Sequence, residues 1–364
     1  MIPEEARIDY KRILSLLDPI DFGALALRNR IVMAPMTRSR AEVSGDPNDL
    51  MVTYYRQRAS AGMIISEGIY PSFAGQGYAR TPGLVTGSHV AGWRKVTDAV
   101  HAEGGIMVAQ LMHCGRIAHA ANKHGRTVAP SALRARGEMY TDEHGMQPFD
   151  EPRALSEQEV LDVIRDYGHA TELAMEAGFD GVELHGTSGY LPAQFLCAGP
   201  NRREDAWGGS LENRIRFPRE VLRAMSEAAG ADRVGLRICP GNPFNDLQDE
   251  DPEATFTGLL QALRGADLAY LHILRRPDAD LDNFALARQH FEGPLLLNES
   301  FTLPEAADAI AAGDGEAVSF ARLFVANPDL VRRAREGYQL AAFDRRTLYT
   351  PGARGYIDYG RYSG

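Results

Sequence analysis

Short, almost uniformly apolar runs recur along the chain at 31–35, 63–68, 105–111, 181–186, 233–239, 268–274, 294–300 and 317–322. Strands of a half-exposed sheet would alternate apolar and polar residues, so these runs predict strands buried on both faces. Between them lie longer stretches with apolar residues at helical spacing, at 49–61, 88–103, 156–177, 210–229, 252–264, 279–289, 303–312 and 327–336. Ser156-Glu157-Gln158-Glu159 reads as a capping box, and Gly178 and Gly313 stand where a left-handed C-cap belongs. Eight strands alternating with eight helices predict parallel βαβ units. The count favours an α/β fold of the closed (β/α)₈ type, a TIM barrel, over an open doubly wound sheet. The main interruption is 116–153, polar and rich in His, Gly and Pro, between the third strand and its helix. An excursion that long predicts a functional lid or cap inside one barrel domain spanning 1–364.

Composition narrows the class without changing that picture. The chain has 364 residues, 44% hydrophobic and 24% charged, which is ordinary for a soluble globular protein and rules out a disordered, collagenous or coiled-coil chain. A formal net charge of −10 disfavours generic binding to phosphate backbones, so no nucleic-acid partner is expected. The cysteines Cys114, Cys197 and Cys239 are few, odd in number and far apart, which fits a reducing cytoplasm better than a disulfide framework. Met1-Ile2-Pro3-Glu4-Glu5 lacks the pattern of a signal peptide. No apolar run approaches about 18 residues, so no membrane partner is expected. The 36 glycines exceed the average share and point to tight turns or to backbone close to a ligand.

In a barrel of this kind the C-terminal strand ends face the active site. They carry Pro35-Met36-Thr37, Glu67-Gly68, Gln110, His185, Arg237, His272, Asn298-Glu299 and Arg322. Strands seven and eight commonly hold a phosphate, and Arg322 falls at the predicted end of the eighth, so a phosphorylated cofactor is expected. His113, His119 and His124 raise a second class, a metal-dependent lyase or hydrolase. Their spacing fits no established metal motif, and no metal is expected.

Six segments together resemble the old yellow enzyme family. They are Pro35-Met36-Thr37-Arg38, Gln110-Leu111-Met112-His113, the stretch from His185 through Tyr190 to Leu191, the run 201–214, the run 324–330, and Gly355-Tyr356-Ile357-Asp358-Tyr359. The resemblance implies a barrel flavoprotein that binds FMN and reduces activated alkenes with electrons from NADPH or NADH. It further implies that Pro35, Met36 and Thr37 line the isoalloxazine, with the Thr37 hydroxyl near the flavin O4. Gly68 would pack beside the ring, Gln110 would bind its pyrimidine edge, and Arg237 would sit near N1 and O2. Glu299, Ser300, Ala321 and Arg322 would meet the phosphate. His185 would hold the substrate's electron-withdrawing oxygen, Tyr190 would give a proton to the α-carbon, and Ser188, Tyr78 and Tyr349 would line the substrate pocket.

Three departures from the family pattern bear on this reading. The partner of His185 is usually Asn or His, and here Ser188 stands in its place. Its single short donor predicts a weaker grip on a carbonyl oxygen and a narrowed or shifted substrate range. The small residues, often glycine, that usually follow strand seven are replaced by Glu299-Ser300, and the glycine before the phosphate arginine by Ala321. A carboxylate beside a phosphate repels it unless Glu299 turns away or pairs with Arg322. The departures leave an alternative open, a family relative with a non-reductive or flavin-impaired role in a biosynthetic pathway. A monomer or homodimer is expected, with Tyr356–Tyr362, if exposed, available for a dimer contact.

Overall fold

A computed structural model describes residues 12–123 and 125–362; Met1 to Glu5 and His124 lie outside the described residues. Eight parallel strands close into a barrel: β1 Ile31–Met33, β2 Met63–Ile65, β3 Met107–Leu111, β4 Gly181–His185, β5 Val234–Ile238, β6 Tyr270–Leu274, β7 Leu295–Asn298 and β8 Ala317–Phe320. Each pairs in register with its sequence neighbour, and Val318 of β8 against Ile31 of β1 closes the ring. Almost every strand residue is buried, because helices cover the outside and side chains fill the inside, which removes any need for polar alternation.

The main outer helices are α1 Asp49–Gln57, α2 Gly87–Ala102, α3 Glu157–Glu176, α4 Leu211–Ala229, α5 Pro252–Ala262, α6 Asn283–His290, α7 Leu303–Ala312 and α8 Leu330–Glu336. Side chains of Asn48, Thr86, Ser156, Ser210, Asp251, Asp282 and Thr302 cap the first seven by accepting from backbone N–H groups in the first turn. Ser156 and Glu159 form the expected capping box, and Gly178 and Gly313 take φ of 86° and 81°. The helices expected over 279–289 and 327–336 start later. Asp282 caps at Asn283, and Pro328 disfavours helical geometry at Asn327.

Several strands stop short of the apolar runs, for local reasons. The Ala34 N–H still donates to the Phe320 carbonyl at 3.1 Å, but Pro35 has no N–H with which to continue. After Asn298 the chain turns through φ of 91° at Glu299 and 55° at Ser300. Arg322 does not end β8 as the pattern predicts. Ala321 leaves the extended region (φ −92°, ψ −70°), and Arg322 opens a short helix, Arg322–Ala326.

The excursion after β3 folds back onto the mouth of the barrel. Its hairpin pairs Glu138–Thr141 with Gly145–Pro148, and Val128–Ala129 pairs with Arg153–Ala154. Ala135, Met139 and Phe149 from it join Met112, Cys114, Ile117 and Tyr190 in one apolar cluster, with Tyr78 packed against it. The run 201–214 is scaffolding: the buried Asn201 amide donates to the Phe195 and Trp207 carbonyls, and Arg214 to the Leu196 carbonyl, pinning the short helix Leu191–Leu196.

Residues 347–355 are strapped to the segment following β1. Buried Arg38 donates to the carbonyls of Leu348 and Gly355 at 3.1 and 2.6 Å. Arg40 donates to those of Thr347 and Arg354 at 2.7 and 3.1 Å. The Tyr356–Tyr362 segment is partly packed on its own chain, with Asp358, Gly360 and Arg361 exposed. Tyr356 is fully buried and stacks on Tyr54 at 4.1 Å, and Tyr338 stacks on Tyr362 at 4.1 Å.

Candidate active site

Inside the barrel lies a polar cluster that joins the predicted strand-end residues Gln110 and His272 to Glu183 and Tyr270, which the sequence did not single out. Glu183 of β4 is fully buried and accepts from three groups: Gln110 Nε2 at 2.7 Å, Tyr270 Oη at 3.0 Å and His272 Nδ1 at 2.8 Å. The far ring nitrogen of His272 meets the Ser319 hydroxyl at 2.8 Å. Burial opposes ionisation of Glu183, but the His272 hydrogen bond, Arg237 and the Gln110 hydrogen bond outweigh it and hold the carboxyl below its usual range. Burial also lowers His272, against the pull of Glu183, so the pair is a carboxylate facing a neutral imidazole. The Gln110 amide N–H therefore points inward to Glu183.

Above this cluster stand the predicted site residues. His185 and Arg237 are register partners on β4 and β5. Arg237 donates from Nη2 to Asn298 Oδ1 at 3.0 Å, and Asn298 in turn donates to the Ser319 carbonyl at 3.0 Å. His185 is buried, and burial, then Arg237 and His272, push it well below the usual imidazole range, so it is a neutral hydrogen-bonding group. Its ring meets that of Tyr190 edge-on, centroids 4.8 Å apart. The Tyr190 and Tyr78 hydroxyls lie 3.1 Å apart, and burial pushes both phenols above their usual range. Tyr349 is 61% exposed at the rim, close enough to act electrostatically on both.

Ser188 takes φ of 58°, and its carbonyl accepts from Asn245 Nδ2 at 2.8 Å. Pro35, Met36 and Thr37 are half-buried in the segment after β1. A side chain at Gly68 would strike the Met112 thioether at 2.5 Å. At the far side of the mouth, Glu299 and Ser300 adopt the left-handed dihedrals that glycine favours, although neither is glycine. Arg275 takes their carbonyls at 2.8 and 3.2 Å. Arg322 meets Ser300 Oγ at 3.2 Å and Glu299 Oε1 at 3.6 Å, so Glu299 is paired. His113 and His119 each use Nδ1 to accept a nearby backbone N–H, from Gly115 and Ala121. Among the described residues no group of three or more His, Cys, Asp or Glu side chains could hold a metal ion.

The residues fit a bound flavin nucleotide. His185 Nδ1 and Arg237 Nε are buried with no hydrogen-bond partner among the described residues, which native interiors rarely tolerate unless a ligand supplies one. Left-handed backbone at 299–300 beside Arg322 is the kind of concavity that receives a phosphate. Phenol and imidazole can deliver protons and hydrogen bonds but no electrons. Together with the left-handed turn at 299–300 they make up the candidate site at the mouth of the barrel.

Comparison with known proteins gives the family. Residues 15–341 match the NADH:flavin oxidoreductase / NADH oxidase family. The chain is 42% identical over 359 residues to a Leishmania infantum protein named "Probable flavin mononucleotide-dependent alkene reductase", covering 96% of this chain and 98% of that one. It is 37% identical over 372 residues to 12-oxophytodienoate reductase 7 of rice (Oryza sativa subsp. japonica), covering 94% of each. Among solved structures, morphinone reductase in complex with tetrahydroNAD superposes with a TM-score of 0.92 at 41% identity, covering 96% of this chain and 98% of that one. The old yellow enzyme homologue of Zymomonas mobilis does so with 0.92 at 38% identity, covering 96% and 100%. The chain belongs to the old yellow enzyme family of FMN-dependent oxidoreductases.

Proposed function

We propose that this enzyme is an FMN-dependent ene-reductase acting on activated C=C bonds, in α,β-unsaturated carbonyl or nitro compounds, with NADPH or NADH as electron donor in a ping-pong sequence. The observation that carries the reading is the neutral, unpartnered edge of His185 beside the phenol of Tyr190. One group holds the substrate's oxygen and the other faces the carbon that needs a proton. Bound FMN supplies hydride to the β-carbon.

Around it the chain's residues divide the remaining work. His185 donates to the electron-withdrawing oxygen and stabilises the enolate that forms, without the cost of a buried imidazolium. Tyr190 gives its proton to the α-carbon as general acid. Ser188, Tyr78 and Tyr349 line the substrate side. Pro35, Met36, Thr37 and Gly68 form the cofactor's contact surface, Gln110 its pyrimidine contact, and Arg237 a fixed cation that favours the reduced, anionic ring. Glu299, Ser300, Ala321 and Arg322 surround the phosphate, with the Glu299 carboxylate paired to the arginine.

The three cysteines are free thiols, and no helix among the described residues is long and apolar enough to cross a membrane. The free thiols support a cytoplasmic setting, and the reading keeps a monomer or homodimer. A visible spectrum of the purified protein, followed by anaerobic titration with NADPH and then 2-cyclohexenone, tests the function. Yellow colour, bleaching and recovery establish it; a colourless protein, or colour that the enone does not restore, overturns it.

A further inference from the structure

Glu183 and Gln110 are register partners on β4 and β3, and both are buried. The two oxygens of Glu183 serve different walls of the barrel. Oε1 accepts from Gln110 Nε2 at 2.7 Å, whereas Oε2 accepts from Tyr270 Oη at 3.0 Å and His272 Nδ1 at 2.8 Å. A carboxylate can only accept, so each of the three partners turns a proton toward it. For an amide that choice fixes the whole side chain, because nitrogen and oxygen are the two prongs of one rigid plane. With Nε2 held by Glu183, Gln110 Oε1 is the prong left over, and among the described residues it accepts from nothing.

Which prong is left over matters for a flavin. The pyrimidine edge of the ring carries one donor, N3–H, between two carbonyl acceptors. A glutamine that met N3–H with its amide nitrogen would set donor against donor and leave both buried without partners. The choice is made from behind, by a carboxylate that is itself held. Tyr270 and His272 grip its second oxygen, and the far nitrogen of His272 meets Ser319 Oγ at 2.8 Å. The anchor thus draws on strands β4, β6 and β8, and a shift of the amide would disturb all three.

We propose that Glu183 is a positioning residue that holds the Gln110 amide with its nitrogen inward and its oxygen toward the cofactor, so that the chain reads the N3–H donor of the flavin pyrimidine. This rests on the reading of Gln110 as the pyrimidine contact. Glu183 does not touch the ring. It selects a ring with a donor at N3 by denying Gln110 the opposite orientation.

Glu183→Gln tests this. The introduced amide keeps its oxygen toward Tyr270 and His272, two donors against one, and so turns its own nitrogen onto Gln110. Gln110 then reverses to accept, and its nitrogen faces N3–H. Fluorescence titration of the apoprotein is expected to show FMN bound about tenfold or more weaker, while 3-methyl-FMN, which has no N3–H to lose, changes by less than about twofold. Adding Gln110→Glu restores the pattern: the introduced carboxylate accepts from the introduced amide through one oxygen and offers the other to N3–H, with the charge of the pair unchanged. The double variant recovers wild-type affinity for FMN within about threefold, and with it the preference over 3-methyl-FMN. Because it satisfies every partner, it decides the matter where the single variant does not fold. Equal weakening of the two flavins, no weakening of FMN by Glu183→Gln, or no recovery in the double variant overturns the proposal. A Gln110→Ala apoprotein that binds FMN as tightly as the wild type overturns the underlying reading as well, which separates the two failures.

Discussion

The imidazole of His185 and the phenol ring of Tyr190 meet edge-on, centroids 4.8 Å apart and planes inclined at 70°. One ring ends β4 and the other caps the short helix that follows it, so five residues of chain place a hydrogen-bonding group and an acid on one face of the site. Removing the acid alone should separate the two half-reactions. Tyr190→Phe is expected to slow enone reduction by about 10² or more while leaving reduction by NADPH within about twofold. Stopped-flow measurement of each half-reaction checks it, and equal slowing of both would contradict the assignment.

Ser188 sits at φ of 58°, a region where asparagine is the best tolerated side chain after glycine. Ser188→Asn is therefore expected to fold normally and to return a second donor beside His185. kcat/KM for 2-cyclohexenone should rise by up to about tenfold, a modest share of what an oxyanion donor can be worth. Unchanged turnover would show that the serine does not limit substrate grip.

At Glu299 the backbone holds φ of 91°, where a side chain is strained. Glu299→Gly removes the strain and the carboxylate beside Arg322 in one step. FMN should bind several-fold more tightly, and the apoprotein should be more stable by on the order of 1 kcal/mol, partly offset by the greater freedom of glycine in the unfolded chain. Fluorescence titration with FMN and a urea melt of the apoprotein read the two effects independently.

Glu67 is fully buried below the Thr37–Arg38 turn, and burial pushes its carboxyl up to about 7 from an ordinary 4.5, against the hydrogen bond with Tyr55. The folded protein thus keeps a proton that the unfolded chain releases at lower pH. Stability falls as pH rises through the window from 4.5 to about 7, and the loss is complete above it. The total is on the order of 3 kcal/mol. Glu67→Gln should flatten that slope and be the more stable protein at pH 8, as shown by urea midpoints of both proteins across the range. Parallel slopes would place the pH dependence elsewhere.

The barrel was legible because a strand buried on both faces must be apolar throughout, and eight such runs separated by amphipathic stretches leave little choice of architecture. Strand ends were less legible, since Pro35, the left-handed turn at Glu299 and the bend at Ala321 act locally and override the apolar pattern. His185 and Tyr190 could be found because five residues of chain bring them together. Glu183 left one signal, a single charge in an apolar run, but its partners Gln110, Tyr270 and His272 come from other strands and gave it no meaning in sequence.

The strap formed by Arg38 and Arg40 has a consequence for how the enzyme is made. Two buried guanidinium groups directly after Pro35-Met36-Thr37 find most of their acceptors in residues 347–355, as far as 317 positions downstream, beside the Tyr54 hydroxyl for Arg38 and the Arg38 carbonyl for Arg40. A ribosome needs roughly 15 to 60 s to cover that distance. Throughout that interval the nascent chain carries two cations that lack most of their final carbonyl partners. The segment after β1 therefore gains its strap late in synthesis, and a polypeptide terminated before residue 347 lacks that strap however much of the barrel it contains.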